Sequence, residues 1–386
     1  MTSSRNLAKN VFGGLCATLL GLLSITAAHA QINTLVNFNG TNGAEPIVGL
    51  TLSGDSTTLY GTTLGGGANN EGTVFSVPVT GGTPNTLVSF NGSSGDFPEA
   101  GVTLSGNTLY GTVASGGASG AGTVFSVPVT GGAPTTLATF TGSNGASPYG
   151  GLTISGSNLY GATPGGGTNG YGTVFSVPET GGTPTTLVTF NGSNGANPYA
   201  GLTLIGNTLY GTTAYGGFGD NATVFSVPVS GGAPTTLATF SSYGVSPLTN
   251  LTLIGNALYG TTETGGGNGD GTVFSVPVTG GTITTLATFN VTNGAYPSGG
   301  LVVIGTTLYG TTQIGGSSND GTVFSVPVNG GTPTTVASFN GSNGTDPQSN
   351  LTIIGNTLYG TTTGGGAYGD GTVFSLSIQA APEPST

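Results

Sequence analysis

The chain has 386 residues, 77 of them Gly, with 4% charged residues and a formal net charge of −11. Its two basic residues (Arg5, Lys9), its only Cys (Cys16), its only His (His29) and its only Met (Met1) all precede residue 30, and Trp is absent. Beyond that point the composition excludes disulfides, His- or Cys-based zinc sites, Ser-His-Asp and Cys-His nucleophiles and Schiff-base lysines, and it disfavours nucleic acid and anionic membrane surfaces as partners.

Residues 1–30 read as a secretory signal peptide. Arg5 and Lys9 precede a largely apolar, uncharged stretch at 11–27, and Ala28-His29-Ala30 gives a small-x-small site before Gln31. A retained membrane anchor is the alternative, but the apolar run is short and broken by glycines. Cys16 lies inside that run, away from the cleavage point, so a lipoprotein anchor is not expected. The remaining chain keeps all 13 Asp and Glu against no cation, a side-chain charge of −13. No later stretch is apolar for long enough to span a membrane as a helix. These features point to a secreted or cell-surface protein.

A strand-like run at 34–38 follows, and then a repeat dominates the sequence. Leu-Tyr-Gly recurs with its Tyr at 60, 110, 160, 210, 259, 309 and 359, and Val-Phe-Ser recurs with its Phe at 75, 125, 175, 225, 274, 324 and 374. A third Phe closes another run at 38, 90, 140, 190, 240, 289 and 339. The period is 50 residues, with two extra residues near Asp55 and one fewer near Tyr243. In the second unit four β-type runs occupy 102–105, 108–112, 123–128 and 136–140, rich in Val, Leu, Thr, Tyr and Phe and separated by Gly, Asn, Ser and Pro. No segment sustains a helical period.

Four strands per unit in seven units predict an all-β, seven-bladed β-propeller over 31–378 with four-stranded blades. By analogy with other propellers we label the strands A to D from the axis outward. The mature chain begins with a lone D-type run at 34–38 and ends with A, B and C runs at 351–354, 357–361 and 372–378. The first strand can therefore complete the last blade and close the ring. A β-solenoid is the alternative, although it needs polar caps rather than complementary ends.

The pattern Leu-Tyr-Gly-Thr-Thr…Gly-Gly…Gly-Thr-Val-Phe-Ser resembles the GloVer tandem-repeat proteins, an exported bacterial family described as using a choice of anchors. The resemblance covers about residues 34–378. It implies a surface or secreted repeat protein and brings no established activity. Residues 379–386 read as a disordered tail, in which Pro382-Glu383-Pro384-Ser385-Thr386 resembles the start of a PEP-CTERM sorting signal, without the apolar helix and Arg-rich end of the full signal.

In propeller topology the long D–A and B–C connections share one face, the expected place for binding residues. Most acids map there, and the face should carry a negative field. One B–C position is acidic in four units: Glu71, Asp270, Asp320 and Asp370. Carboxylates at a recurring loop position can bind Ca2+; Asp-Gly before a strand is also a common turn pair, which is the simpler reading. No other cofactor is expected. Asn-Gly-Ser-Asn-Gly in the D–A segments reads as turn chemistry rather than a phosphate cradle.

The repeated Phe and Tyr read as packing. Nine other aromatics vary between units: Phe97, Tyr149, Tyr171, Tyr199, Tyr215, Phe218, Tyr243, Tyr296 and Tyr368. Of these, Tyr149, Tyr171, Tyr199, Tyr215 and Phe218 belong to the third and fourth units and form the candidate ligand-binding patch, suited to stacking on sugars or anchoring a protein. No catalytic residue is assigned. The leading expectation is a non-enzymatic exported propeller for binding, adhesion or envelope or matrix structure, with carbohydrate or protein as ligand. The alternative is a carboxylate-dependent polysaccharide hydrolase or lyase, which needs two carboxyls roughly 5–10 Å apart.

Overall fold

The computed structural model describes residues 30–241 and 245–378, and for Phe218 its backbone only. Residues 1–29, where a signal peptide is expected, the expected tail at 379–386 and Tyr243 lie outside the described residues. Seven four-stranded antiparallel sheets form a propeller. In blade 2 the strands are Thr103–Ser105 (A), Thr108–Val113 (B), Thr123–Pro128 (C) and Thr135–Thr139 (D). They fall within a residue of the predicted runs. The first strand, Ile32–Asn37, pairs antiparallel with the last, Thr372–Ser377, with Ile32 opposite Leu376 and Asn37 opposite Thr372. It supplies strand D of blade 7, so the ring closes and the solenoid reading falls away. Among the described residues no helix is long and apolar enough to cross a membrane.

Local turn chemistry explains the strand boundaries. Strands A and B of blade 2 join through Gly106-Asn107, and Gly106 carries the positive φ of 55° that a tight hairpin places at its first central residue. The two extra residues of the first unit widen the equivalent turn. There Asp55 Oδ1 accepts from Ser53 Oγ at 2.6 Å, Thr57 Oγ1 at 2.8 Å and Thr57 N at 3.1 Å. The Asn-Gly-Ser-Asn-Gly segments are reciprocal side-chain turns: Asn191 N donates to Asn194 Oδ1 at 2.9 Å and Asn194 N to Asn191 Oδ1 at 3.1 Å.

The blades are joined by a repeated aromatic contact. In strand B, Gly61 lies directly opposite Phe75 of strand C. A Cβ on Gly61 would sit 2.6 Å from Phe75 Cζ and 3.0 Å from Leu50 Cδ2, so only Gly lets the ring lie across strand B. The edge of Phe75 then meets Phe38, which follows strand D of the preceding blade, at a centroid distance of 5.0 Å and 68°. The same T-shaped pair recurs at all seven blade junctions. Each contributes about 0.5–1.5 kcal/mol beyond the area it buries.

Threonine hydroxyls add a second seam near the axis. Thr103 Oγ1 donates to Leu152 O and Thr203 Oγ1 to Leu251 O, both at 2.6 Å, and Thr352 Oγ1 closes the circle onto Leu50 O at 2.5 Å. Thr51, Thr153 and Thr252 make the equivalent bonds, while Val302 holds this position in blade 6. Within a blade, the hydroxyls of Thr63 and Thr73 pair at 2.8 Å, a contact that Val113 removes in blade 2. Thr123 Oγ1 is consequently buried with no hydrogen-bond partner among the described residues.

Val113→Thr should therefore raise stability by about 1 kcal/mol, seen as a higher denaturation midpoint at unchanged slope. Gly161→Ala, which would place a Cβ 2.6 Å from Phe175 Cζ, should lower it by about 1–3 kcal/mol in the same measurement.

Candidate functional site

The D–A and B–C segments lie side by side, bridged at Ala44–Gly65, Asp96–Ser115, Ala146–Gly165 and Ala196–Tyr215. The residue before each loop proline fixes this arrangement. In blade 2, Phe97 N donates to Glu71 O of the previous blade at 3.2 Å, and Phe97 O accepts from Ala114 N of its own blade at 3.3 Å. Glu45, Phe97, Asn197, Tyr296 and Asp346 reach both partners from a left-handed backbone, and Ser147, whose own-blade partner position is held by Pro164, keeps the same conformation with its bond to Ala121 O; all six have φ of 55–58°. A residue before proline ordinarily prefers extended conformations, and non-Gly residues in this region carry about 1 kcal/mol or more of strain. The strain recurs in six blades and holds the loops that face the axis.

The residue after that proline points to the axis. Its seven copies are Ile47, Glu99, Tyr149, Tyr199, Leu248, Ser298 and Gln348, and all line one axial cavity of about 440 Å³. Glu263 and Gln313, at the ends of their B strands, complete the wall. The volume lies in the range of small-molecule sites. Six residue types among seven equivalent positions contrast with the nearly constant strands around them.

Tyr149 and Tyr199 are neighbours in this wall, with ring centroids 5.7 Å apart and planes tilted by 36°. Burial raises the Glu99 carboxyl from 4.5 to about 7. It also raises the Tyr149 hydroxyl, with smaller contributions from Glu99 and Tyr199, and the Tyr199 hydroxyl, with contributions from Tyr215 and Glu99. Across the cavity Gln313 Nε2 donates to Glu263 Oε1 at 3.3 Å. Gln348 Nε2 donates to Asp346 Oδ2 at 2.9 Å, and burial pushes the Asp346 carboxyl above its ordinary value against that bond. Ser298 Oγ is buried with no hydrogen-bond partner among the described residues. The cavity therefore offers two aromatic faces, amide and hydroxyl groups, and a carboxyl able to donate or accept near neutral pH. It offers no cation, because no Lys, Arg or His occurs after His29.

The five aromatics of the predicted patch divide between two places. Tyr149 and Tyr199 line the axial cavity. Tyr171 and Tyr215 line an outer groove between the B–C loops of blades 3 and 4, together with Asn197 and Asp220. Phe218 opens a short 3-10 turn, Phe218–Asp220, beside that groove. Phe97 and Tyr296 occupy the strained pre-proline position, and Tyr368 is exposed in the B–C loop of blade 7. Asp96 and Glu99 share one loop but diverge: Asp96 Oδ1 accepts from Ser115 Oγ at 2.5 Å, whereas Glu99 faces the axis.

Glu71, Asp270, Asp320 and Asp370 occupy one position in four blades, and among the described residues no three acids, His or Cys come together in a metal-sized group. Their backbone carbonyls bind the next blade's pre-proline N–H groups, as in Asp270 O to Tyr296 N at 2.9 Å. Tyr171 occupies the same position in blade 3, its carbonyl taking Asn197 N at 2.9 Å. The backbone makes this bond whatever the side chain, which leaves the side chain free to vary. Sequence reasoning did not single out Ile47, Leu248, Ser298, Gln348 or the cavity role of Glu99. The usable signal was the position after the recurring loop proline, which changes while its neighbours do not.

A family model described as the Gloeobacter/Verrucomicrobia repeat matches residues 21–225 and 206–382. No curated protein matches the sequence. Among solved structures, the chain is similar to the extracellular domain of a protein of B. thetaiotaomicron designated a hybrid two-component system, with a TM-score of 0.60 and 11% identity over 91% of this chain and 40% of that one. The present chain thus spans well under half the length of that structure. It is also similar to quinohemoprotein alcohol dehydrogenase from Comamonas testosteroni, with a TM-score of 0.59 and 12% identity over 94% of this chain and 79% of that one. At these identities the likeness concerns the fold, which hosts many activities.

The Glu99 carboxyl yields a pH signature. Its folded value of about 7 lies above its ordinary 4.5, so the folded state holds the proton more tightly across that window. Stability should be fully present below about pH 4.5 and decline as pH rises through 7. Water screens a carboxyl that is not fully buried, so the decline should be about 1 kcal/mol rather than the full linkage value. Thermal melts of Glu99→Gln between these pH values should lack this decline.

Proposed function

This chain belongs to the Gloeobacter/Verrucomicrobia repeat family, and we propose that it is a secreted or cell-surface, non-enzymatic binding protein that takes carbohydrate through the loop face of its propeller. The observation that carries this reading is the axial ring, in which seven equivalent positions present different side chains to one cavity on an otherwise repetitive scaffold. Variation confined to such a ring suits recognition. Tyr149 and Tyr199 supply faces for a sugar's C–H surface, and Ser298, Gln348 and Glu99 supply hydrogen-bonding groups for its hydroxyls. The leader-like segment at 1–30 supports export.

A second reading draws on the same cavity. Glu99, with its raised pKa, and Glu263 both line it, and paired carboxyls are the groups that glycoside cleavage uses. Release of new reducing ends from a polysaccharide by the wild-type chain, abolished by Glu99→Gln, would favour catalysis over binding.

The binding reading is tested on a glycan array with wild type and the Tyr149→Ala/Tyr199→Ala variant. Wild type should retain at least one sugar structure, and the variant should bind it about tenfold or more weakly at an unchanged melting temperature. Equal retention of that sugar by both proteins would overturn the assignment.

A further inference from the structure

Resting on the carbohydrate reading above, we propose that the ligand is an uncharged glycan chain. It enters the axial cavity by its end and runs outward between blades 3 and 4 across Tyr215 and Tyr171. Two places on this face carry paired tyrosines, and one short segment borders both. Ala196 and Asn197 line the outer groove, and Tyr199 and Ala200, separated from them only by Pro198, line the axial cavity. Ala196 also bridges to Tyr215, which fixes the groove wall against the same segment. A chain leaving the cavity past Tyr199 therefore meets Tyr215 next and Tyr171 beyond it.

The two outer tyrosines are unusually open for their size, Tyr171 at 44% and Tyr215 at 43% exposure. Neither is required by the scaffold. The positions equivalent to Tyr171 hold Glu71, Ala121, Asn221, Asp270, Asp320 and Asp370, and at Glu71, Ala121, Asp270, Asp320 and Asp370, as at Tyr171, the backbone carbonyl makes the structural bond. The Tyr171 ring lies over the turn at Gly192, whose Cβ, were there one, would be 3.7 Å from the ring. The ring thus stands beside this turn with much of its surface open to solvent, which leaves room for a sugar to stack on it.

Charge selects the class of glycan. Asp220 lines the groove, Glu99 and Glu263 line the cavity, and no cation follows His29 anywhere in the chain. Uronate or sulfate groups would enter a negative field without a counter-charge, whereas neutral hexoses incur no such repulsion.

The test is calorimetric titration of the full chain with neutral gluco- and manno-oligosaccharides from monosaccharide to hexasaccharide, beside oligogalacturonides of the same lengths. Affinity of wild type for the neutral series should rise about tenfold with length and then level off. Tyr171→Ala/Tyr215→Ala should bind the monosaccharide as wild type does and lose the gain with length. Tyr149→Ala/Tyr199→Ala should weaken every length. A gain with length that survives in Tyr171→Ala/Tyr215→Ala overturns the outer path while leaving the cavity reading intact. Oligogalacturonides bound as tightly as the neutral series overturn the charge selection. Failure of wild type to bind any of these sugars overturns both proposals together.

Discussion

The whole ring depends on a missing atom. Because the Gly of each Leu-Tyr-Gly has no Cβ, a Phe of strand C can lie flat over strand B and offer its edge to a Phe of the preceding blade. That contact sets how near the blades stand, and from it follow the threonine seam at the axis and the radius of the cavity above it. Seven copies of a modest aromatic interaction, all buried and all between blades, sit in seven hydrophobic clusters, each spanning two adjacent blades, and hold the described residues together without a disulfide or an ion pair. The constraint is local and repeats, so a single 50-residue pattern suffices to specify the architecture.

The loops follow the opposite logic. Backbone groups make the connections there: the left-handed pre-proline residue bonds to the blade before it in six blades, and in five of these to its own blade as well. Side chains two residues on are released from structural duty and can differ. Strained backbone and diverse side chains thus occupy the same short segment, which is how a rigid scaffold presents an adaptable surface. The interruptions within the scaffold, Val113, Ala162 and Val302, each remove a threonine hydroxyl from a repeated bond, and the backbone pairing continues through all three.

The fold was legible because its determinants recur. The spacing of Tyr60, Tyr110 and Tyr160 gives the period, the run at 34–38 gives the closing strand, and the alternation of β-branched residues with Gly-rich turns gives four strands per blade. The candidate site was less legible for the complementary reason. Its residues share a position, not a type, so Ile47, Ser298 and Gln348 carry no chemical signature by themselves. The aromatics were visible as a group, yet grouping by unit joined Tyr149 and Tyr199 with Tyr171 and Tyr215, whereas radius separates them into cavity and groove. Glu99 looked like one acid among many along the loops. Its raised pKa comes from burial that only the assembled ring creates.

The closing strand imposes an order on how the molecule comes into being. Blades 1 to 6 are each built from one continuous stretch of chain, so each can pair its strands as soon as that stretch is available. The seventh must wait for Ile32 to find Leu376, a contact between nearly opposite ends of the sequence. Such a long-range closure is entropically expensive and slow compared with hairpin formation. Until it happens, the outer face of Thr372–Ser377 is an unpaired edge, and the Phe38–Phe75 contact, which joins blade 7 to blade 1, has only one of its two partners in place. The pairing of Ile32–Asn37 with Thr372–Ser377 thus ties the two ends of the repeat array together and covers with the chain's own first strand an edge that would otherwise be free to pair with another copy.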